Sequence, residues 1–258
     1  MTPNYIAGRT ALITGGGSGL GRVMAIALAD AGARVVLVGR RNEQLDSVAD
    51  EIAAVRGTAR TAPCDVSDAN EVERLANDLA DEEISILVNN AGIAGPVAEI
   101  VDITPEQWDE VFAVNVRSIY LMCRAFLPAM YRRGDGDVVN LASVSGKRPL
   151  AARTPYTASK IAIIGLTTTL AFEAGPRGVR VNSLSPGPVR GERMARNFRL
   201  EAERTGITID EAERAFVSRA ALGRLVEEYE VGEALVAMLQ MRALSGADID
   251  LSAGMIAR

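Results

Sequence analysis

Residues 9–21 read Arg-Thr-Ala-Leu-Ile-Thr-Gly-Gly-Gly-Ser-Gly-Leu-Gly. Arg9–Thr14 is an apolar run that ends in glycines, the form of a buried strand. Leu20–Ala31 has the apolar spacing of a helix and stops at Gly32, a residue suited to the end of one. Gly15, Gly17, Ser18, Gly19, Leu20 and Gly21 therefore lie where a strand turns into a helix. With few side chains in the way, the backbone there can approach a pyrophosphate, whose charge then faces the positive end of the helix. The spacing is TGxxxGxG and not GxGxxG, so its weight comes from its place in a strand–turn–helix unit.

The same rhythm continues outward. Arg34–Val38 reads as a second strand and Asn42–Arg56 as a second helix. Thr58–Ala62 is a third strand leading to Asp65, followed by a helix over Asp68–Ala80 and a strand over Ile84–Val88. Thr104-Pro105-Glu106-Gln107 has the capping residue, first-turn proline and acidic or amide residues of a helix start, so one long helix is predicted to about Arg132. A strand at Asp137–Leu141, a helix at Pro155–Ala174 and a strand at Val179–Leu184 follow. Residues 189–225 break the pattern with a charged stretch carrying Arg193, Arg196, Arg199 and Arg214. A helix over Glu227–Gln240 and a strand over Ala247–Leu251 close the chain. Strand–helix alternation with continuously apolar strands specifies a parallel sheet covered on both faces. The expected fold is one α/β domain over 1–258, doubly wound and Rossmann-type, with a mostly seven-stranded parallel sheet and a substrate-loop segment at about 189–225.

Composition removes several functions. The 258 residues carry a formal charge of -5, which argues against a nucleic-acid-binding face. There is no histidine, so a Ser-His-Asp hydrolase and an imidazole zinc site are both excluded, and no metal is expected. Cys64 and Cys123 stand in separate apolar contexts and read as reduced core thiols. Met1–Gly8 shows no basic stretch followed by an apolar one, and no uncharged apolar run reaches 18 residues. A cytoplasmic protein with no membrane partner is expected.

The end of the second strand bears on the nucleotide. A carboxylate there would accept hydrogen bonds from a ribose 2′-hydroxyl. The chain instead reads Val38-Gly39-Arg40-Arg41. Two guanidinium groups suit a 2′-phosphate, so NADP is preferred over NAD. The alternative is that Arg40 and Arg41 only solvate a helix start.

Tyr156 and Lys160 are four residues apart near the start of a predicted helix and share one face. Bringing a phenol from its free pKa of about 10 to near neutrality takes about 4 kcal/mol of selective phenolate stabilisation. A neighbouring ammonium in a partly dry cleft can supply it. Ser143, at a strand end, offers a hydroxyl to a substrate oxygen.

Taken together, Thr14–Gly21, Asn89-Asn90-Ala91-Gly92, Asn115, Ser143, Tyr156-x-x-x-Lys160 and Pro186-Gly187 resemble, in order and spacing, the compact single-domain branch of the short-chain dehydrogenase/reductase family. The resemblance runs from about Arg9 to the C-terminus. It implies an NAD(P)-dependent oxidoreductase in which Tyr156 is the general acid/base, Ser143 polarises the substrate oxygen, Lys160 lowers the tyrosine pKa and grips the nicotinamide ribose, and Asn115 holds a relay water. It also implies that Asn90, Ala91 and Gly92 line the adenosine side, that Asp65, beside Val66, contacts the adenine amino group, and that Pro186, Gly187 and Val189 face the nicotinamide. A homotetramer packed through the helices at about 105–132 and 155–174 is implied as well. Two departures stand out: Gly191 occupies the place of a frequent cofactor-touching threonine, and Ala142 that of a second serine.

Specificity is expected from Val144–Arg153, Gly95–Ile100 and the segment after Val189. Lys147, Arg148, Arg153, Arg190 and Arg193 could bind an anionic group there, or could be solvated surface charge. The expected substrate is a small alcohol or carbonyl compound of the sugar, polyol or hydroxy/keto acid type. A 3-oxoacyl-[acyl-carrier-protein] reductase and a catalytically idle dinucleotide-binding sensor or scaffold remain alternatives.

Overall fold

The computed structural model describes residues 4–256. Residues 1–3 and 257–258 fall outside it, and with them part of the Met1–Gly8 reading and the last residues of the 1–258 range. Seven parallel strands form one sheet: β1 Thr10–Thr14, β2 Arg34–Gly39, β3 Thr58–Pro63, β4 Ile84–Asn89, β5 Gly136–Leu141, β6 Val179–Pro186 and β7 Asp248–Leu251. Their order is β3-β2-β1-β4-β5-β6-β7, with β1 paired to both β2 and β4. The chain thus winds one way from β1 and the other way from β4, and the crevice at that reversal is where such sheets bind ligands.

The helices are α1 Gly19–Asp30, α2 Asn42–Ala54, α3 Ala69–Asp78, α4 Pro105–Phe112, α5 Ser118–Arg133, α6 Thr154–Ala174, α7 Glu192–Thr205, α8 Ile209–Val217 and α9 Glu228–Gln240. Alternation along the strands sorts the core into two layers. Leu12, Val36 and Val38 join Val72 of α3, Met122 and Phe126 of α5 and Ile163 of α6 on one face. Ile13, Val35 and Leu37 join Leu28 of α1, Ile52 of α2 and Leu235 of α9 on the other. On that second face α1 and α9 pack so tightly that a Cβ on Gly232 would lie 2.8 Å from the Ala27 Cβ.

Two expectations need refinement. The long helix from Pro105 does reach Arg133, but residues Ala113–Arg117 form a π turn between α4 and α5. The stretch is long and apolar enough to pass as a membrane span by composition, yet half of its apolar window is buried inside the fold, as in a core helix. The charged 189–225 segment contains α7 and α8, which share a small core of Phe198, Ala202, Ala212 and Leu225.

Candidate active site

The glycine turn leaves β1 and enters α1 without a side-chain cap. Ser18 is the N-cap in extended conformation and its hydroxyl bonds to no first-turn amide. The N–H groups at the head of α1 are therefore left for another acceptor. Gly15 has φ +67° and Gly19 φ +51°, and a Cβ on Gly19 would meet nothing within 4 Å, so the turn opens outward there. A Cβ on Gly17 would lie 3.1 Å from the Gln44 Cβ of α2, so the turn lies hard against the second helix. A bare backbone ahead of a helix, open on one side, fits a dinucleotide pyrophosphate.

The end of β4 is tied to this turn. The Asn90 and Ala91 amides donate to Thr14 Oγ1 at 2.9 and 3.0 Å, and Asn90 Nδ2 donates to the Thr14 carbonyl at 2.9 Å. Thr14 opens the TGxxxGxG motif, and its hydroxyl, given no role of its own by the sequence, is the brace between the two loops. Asn89 is buried at the end of β4 and donates to Asn140 Oδ1 at 2.9 Å, and Asn140 donates to Thr167 at 2.9 Å.

Four further predicted residues meet at the same edge. Lys160 is buried on α6 and its Nζ donates to the Leu141 carbonyl at 2.7 Å, at the end of β5 just before Ser143. The same Nζ lies 5.8 Å from the Tyr156 ring centroid, so the ammonium faces the phenol ring. Ser143 is buried, and its Oγ accepts from the Ser145 amide at 3.1 Å. Asn115, in the π turn, is fully buried: Oδ1 accepts from the Ile93 amide at 2.8 Å and Nδ2 donates to the Ile93 carbonyl at 3.0 Å. A Cβ on Gly92 would stand 3.1 Å from Asn115 Oδ1 and 3.7 Å from Lys160 Nζ, which fixes the three as neighbours. Ser159, passed over in the sequence although it stands inside Tyr156-Thr-Ala-Ser-Lys160, accepts from Asn115 Nδ2 at 3.0 Å and donates to the Tyr156 carbonyl at 2.7 Å.

The nucleotide-side residues are arranged around the turn. Arg40 and Arg41 are exposed at the end of β2. Asp65 follows β3 and Val66 beside it is buried. Burial works to raise the Asp65 carboxyl, but the Ser67 hydroxyl and amide at 2.6 and 2.9 Å and the Arg40 charge outweigh it, so the group sits below the ordinary carboxylate range. Gly187 donates to the Leu251 carbonyl at 2.8 Å just after Pro186, and Val189 bridges to Val226.

Two basic residues read as possible substrate ligands are otherwise engaged. The Lys147 side chain is only 4% exposed and pairs with Asp248 and Asp250. Arg190 pairs with Glu213 at 3.1 Å and Glu227 at 3.0 Å. Arg153 donates to the Ala94 carbonyl at 3.3 Å, and the Arg193 side chain lies outside the described residues. The threonine missing at Gly191 has a structural reason: φ there is +155°, and a Cβ would stand 2.7 Å from Glu228 Oε1. The Ala98 amide donates to the Ala152 carbonyl at 3.1 Å, which joins two of the expected specificity loops.

The strand order, and the gathering of these side chains where it reverses, define a dinucleotide-binding α/β protein. Comparison with known proteins narrows the class. Residues 9–205 match the short chain dehydrogenase family. The chain is 39% identical to D-threitol dehydrogenase of Mycolicibacterium smegmatis, over 72% of each chain. It is 38% identical to D-beta-hydroxybutyrate dehydrogenase of Rhizobium meliloti, over 78% of this chain and 79% of that one. A solved structure from Beutenbergia cavernae, described as an NAD(P) dependent gluconate 5-dehydrogenase with bound NADP, superposes with a TM-score of 0.89 at 35% identity, covering 99% of this chain and all of that one at 100%. The chain belongs to the short-chain dehydrogenase/reductase family and is an NAD(P)-dependent oxidoreductase.

Proposed function

We propose that the chain moves a hydride between NADP, in preference to NAD, and a secondary alcohol or ketone of the polyol, sugar or hydroxy/keto acid type. The observation that carries this reading is the convergence of Lys160, Tyr156, Ser143 and Asn115 beside an uncapped glycine turn. The names of the relatives favour the substrate class, since they point to a polyol, a hydroxy acid and a sugar acid.

Gly15, Gly17, Ser18, Gly19, Leu20 and Gly21 would hold the pyrophosphate, with Asp65 and Val66 at the adenine and Asn90, Ala91 and Gly92 along the adenosine. Arg40 and Arg41 would take the 2′-phosphate, and Pro186, Gly187 and Val189 the carboxamide. Bound there, the nicotinamide ring supplies or accepts the hydride. Tyr156 gives its proton to a substrate carbonyl oxygen or takes one from an alcohol. The positive charge of Lys160 favours the phenolate and so makes the proton mobile near neutral pH. The Ser145 amide occupies the acceptor side of Ser143 Oγ, which leaves the serine proton for the substrate oxygen. Asn115 fixes the loop after β4 through Ile93 and, in keeping with the family pattern, holds the water that passes the proton onward.

The test is a screen of polyols, hydroxy acids and ketones with NAD and NADP, followed by nicotinamide absorbance. Tyr156→Phe is expected to lower kcat by about a hundred- to ten-thousand-fold while NADPH binding, read by fluorescence, survives. Unchanged turnover would end the reading.

Self-association belongs to the same proposal. α5 and α6 border an apolar groove of about 620 Å³, lined by Tyr120, Leu127, Tyr131, Leu166 and Leu170 and by none of the catalytic residues. Phe172 nearby on α6 is 85% exposed. A second copy of the chain is the occupant we propose, in a homotetramer. Light scattering should give four times the chain mass, and Phe172→Asp should reduce it; a monomeric wild-type protein would refute it. Burial holds both Cys64 and Cys123 thiols at about 12, so they are inert, in keeping with a reducing, cytoplasmic setting.

A further inference from the structure

Lys147 is the one lysine besides Lys160 in the whole chain, and its side chain is 4% exposed. It closes the 3-10 turn Val144–Gly146, whose N-cap is Ser143. Its Nζ is 2.5 Å from Asp248 Oδ2 and also bonds Asp250. The strand period of two places those carboxylates on one side of β7. Asp248 Oδ1 in turn accepts from Ser183 and Ser185 of β6, each at 2.7 Å, so the carboxylate is fixed in orientation before the lysine meets it.

The turn is held on its other side as well. A Cβ on Gly146 would lie 2.8 Å from the Ile161 amide and 2.9 Å from the Lys160 carbonyl carbon. The serine turn is thus wedged between α6, which carries Tyr156 and Lys160, and the carboxylate pair on β7. Beyond the pair, the Leu251 carbonyl accepts from Gly187 at 2.8 Å. One short strand therefore anchors both the serine turn and the loop after β6. A buried ammonium with two carboxylates is a poor choice for stability alone, because apolar residues of similar size often do as well. What it does supply is a single direction for the turn.

We infer that Lys147 is a positioning residue, which aims the Ser143 hydroxyl by latching its turn to Asp248 and Asp250. The inference rests on the reading of Ser143 given above. In the latched state the serine meets the substrate oxygen without having to be reoriented, so loss of the latch lowers kcat and leaves dinucleotide binding intact.

The test combines two readouts. In hydrogen exchange, Lys147→Met should speed exchange at least tenfold in a peptide covering residues 142–150, with a peptide over residues 12–24 unchanged. In kinetics with D-threitol and NADP, or with the best alcohol of the screen, Lys147→Met should lower kcat tenfold or more. In a Ser143→Ala background, the same substitution should cost less than twofold, since a residue acting through the serine has nothing left to aim. Asp250→Asn, at the more exposed carboxylate, is read in the same cycle should Lys147→Met fail to fold, and should show the same non-additivity. Equal losses in both backgrounds, or unaltered exchange at residues 142–150, overturn the inference. Full activity of Ser143→Ala alone would instead strike at the catalytic reading of the serine, and the exchange result would still judge the latch by itself.

Discussion

A methyl group on Gly21 would stand 2.0 Å from the Gly15 carbonyl oxygen and 2.7 Å from Asn90 Nδ2. Neither neighbour is a flexible side-chain tip, because Gly15 is backbone and Asn90 is held by Thr14. Gly21→Ala must therefore push apart the first and fourth strand loops. The expected outcome is at least a tenfold weaker NADPH affinity in a fluorescence titration, with the circular dichroism of the fold retained. At this scale the sequence spoke unevenly. The spacing of Tyr156 and Lys160 was legible because one helix carries both, and the glycine turn because it is contiguous. Lys147 and Arg190, open in the sequence to either an anionic substrate group or solvent, are both ion-paired within the chain. Their partners lie 101, 103, 23 and 37 residues away, and no local pattern announces a pairing made only once the chain is folded.

Helix α9 begins with reciprocal hydrogen bonds between Glu227 and Glu230, and Glu230 also takes both Arg224 nitrogens at 2.7 Å. The Arg224 hydrogen bond first, then the Glu227 amide, holds the Glu230 carboxyl down to about 2. A carboxyl depressed in the folded state stabilises the fold above its unfolded value and loses that contribution as pH falls through the folded one. Glu230→Gln should thus cost about 1 kcal/mol in urea unfolding at pH 6, the size of a helix cap with a part-exposed ion pair. The cost should shrink between pH 4 and pH 2; a constant difference across that range would refute the assignment. Elements were the best-read scale, since strand and helix periods report burial directly. Most predicted ends of elements fall within two residues of the observed ones. The π turn at Ala113–Arg117 was not legible, because apolar spacing continues through it and only the tertiary bonds of Asn115 reveal the change.

Opposite the catalytic edge, Asp137 joins β5 to Arg9 ahead of β1 and to Arg180 of β6. It is buried and accepts from Arg9 at 2.6 Å and from Arg180 at 2.7 and 2.8 Å. Asp135 beside it accepts from Arg180 at 3.2 Å and Arg242 at 2.9 Å. Burial would raise the Asp135 carboxyl, and Arg242, Arg9 and Arg180 together bring it below its ordinary value. Removing the shared acceptor leaves two part-buried guanidinium groups with only the more exposed Asp135 to answer them. Asp137→Ala should cost about 3–5 kcal/mol in urea unfolding, with an unchanged denaturant slope. A loss under 1 kcal/mol would show the cluster to be solvated decoration. The doubly wound, mostly seven-stranded parallel sheet was readable at this scale because alternating strands and helices leave few topologies open; the strand order itself came with the structure. The closure of the far edge was not, because it joins residues from Arg9 to Arg242.

The π turn has a geometric corollary. A π turn holds one residue more than the α turn it replaces, and each residue of an α-helix advances the direction of its side chain by about 100°. The odd residue near Asn115 is a phase shifter: it lets Pro105–Phe112 and Ser118–Arg133 keep separate angular settings on one rod. Shortening the rod by one position would bring both halves into step, and the amide that clasps Ile93 would swing off its target.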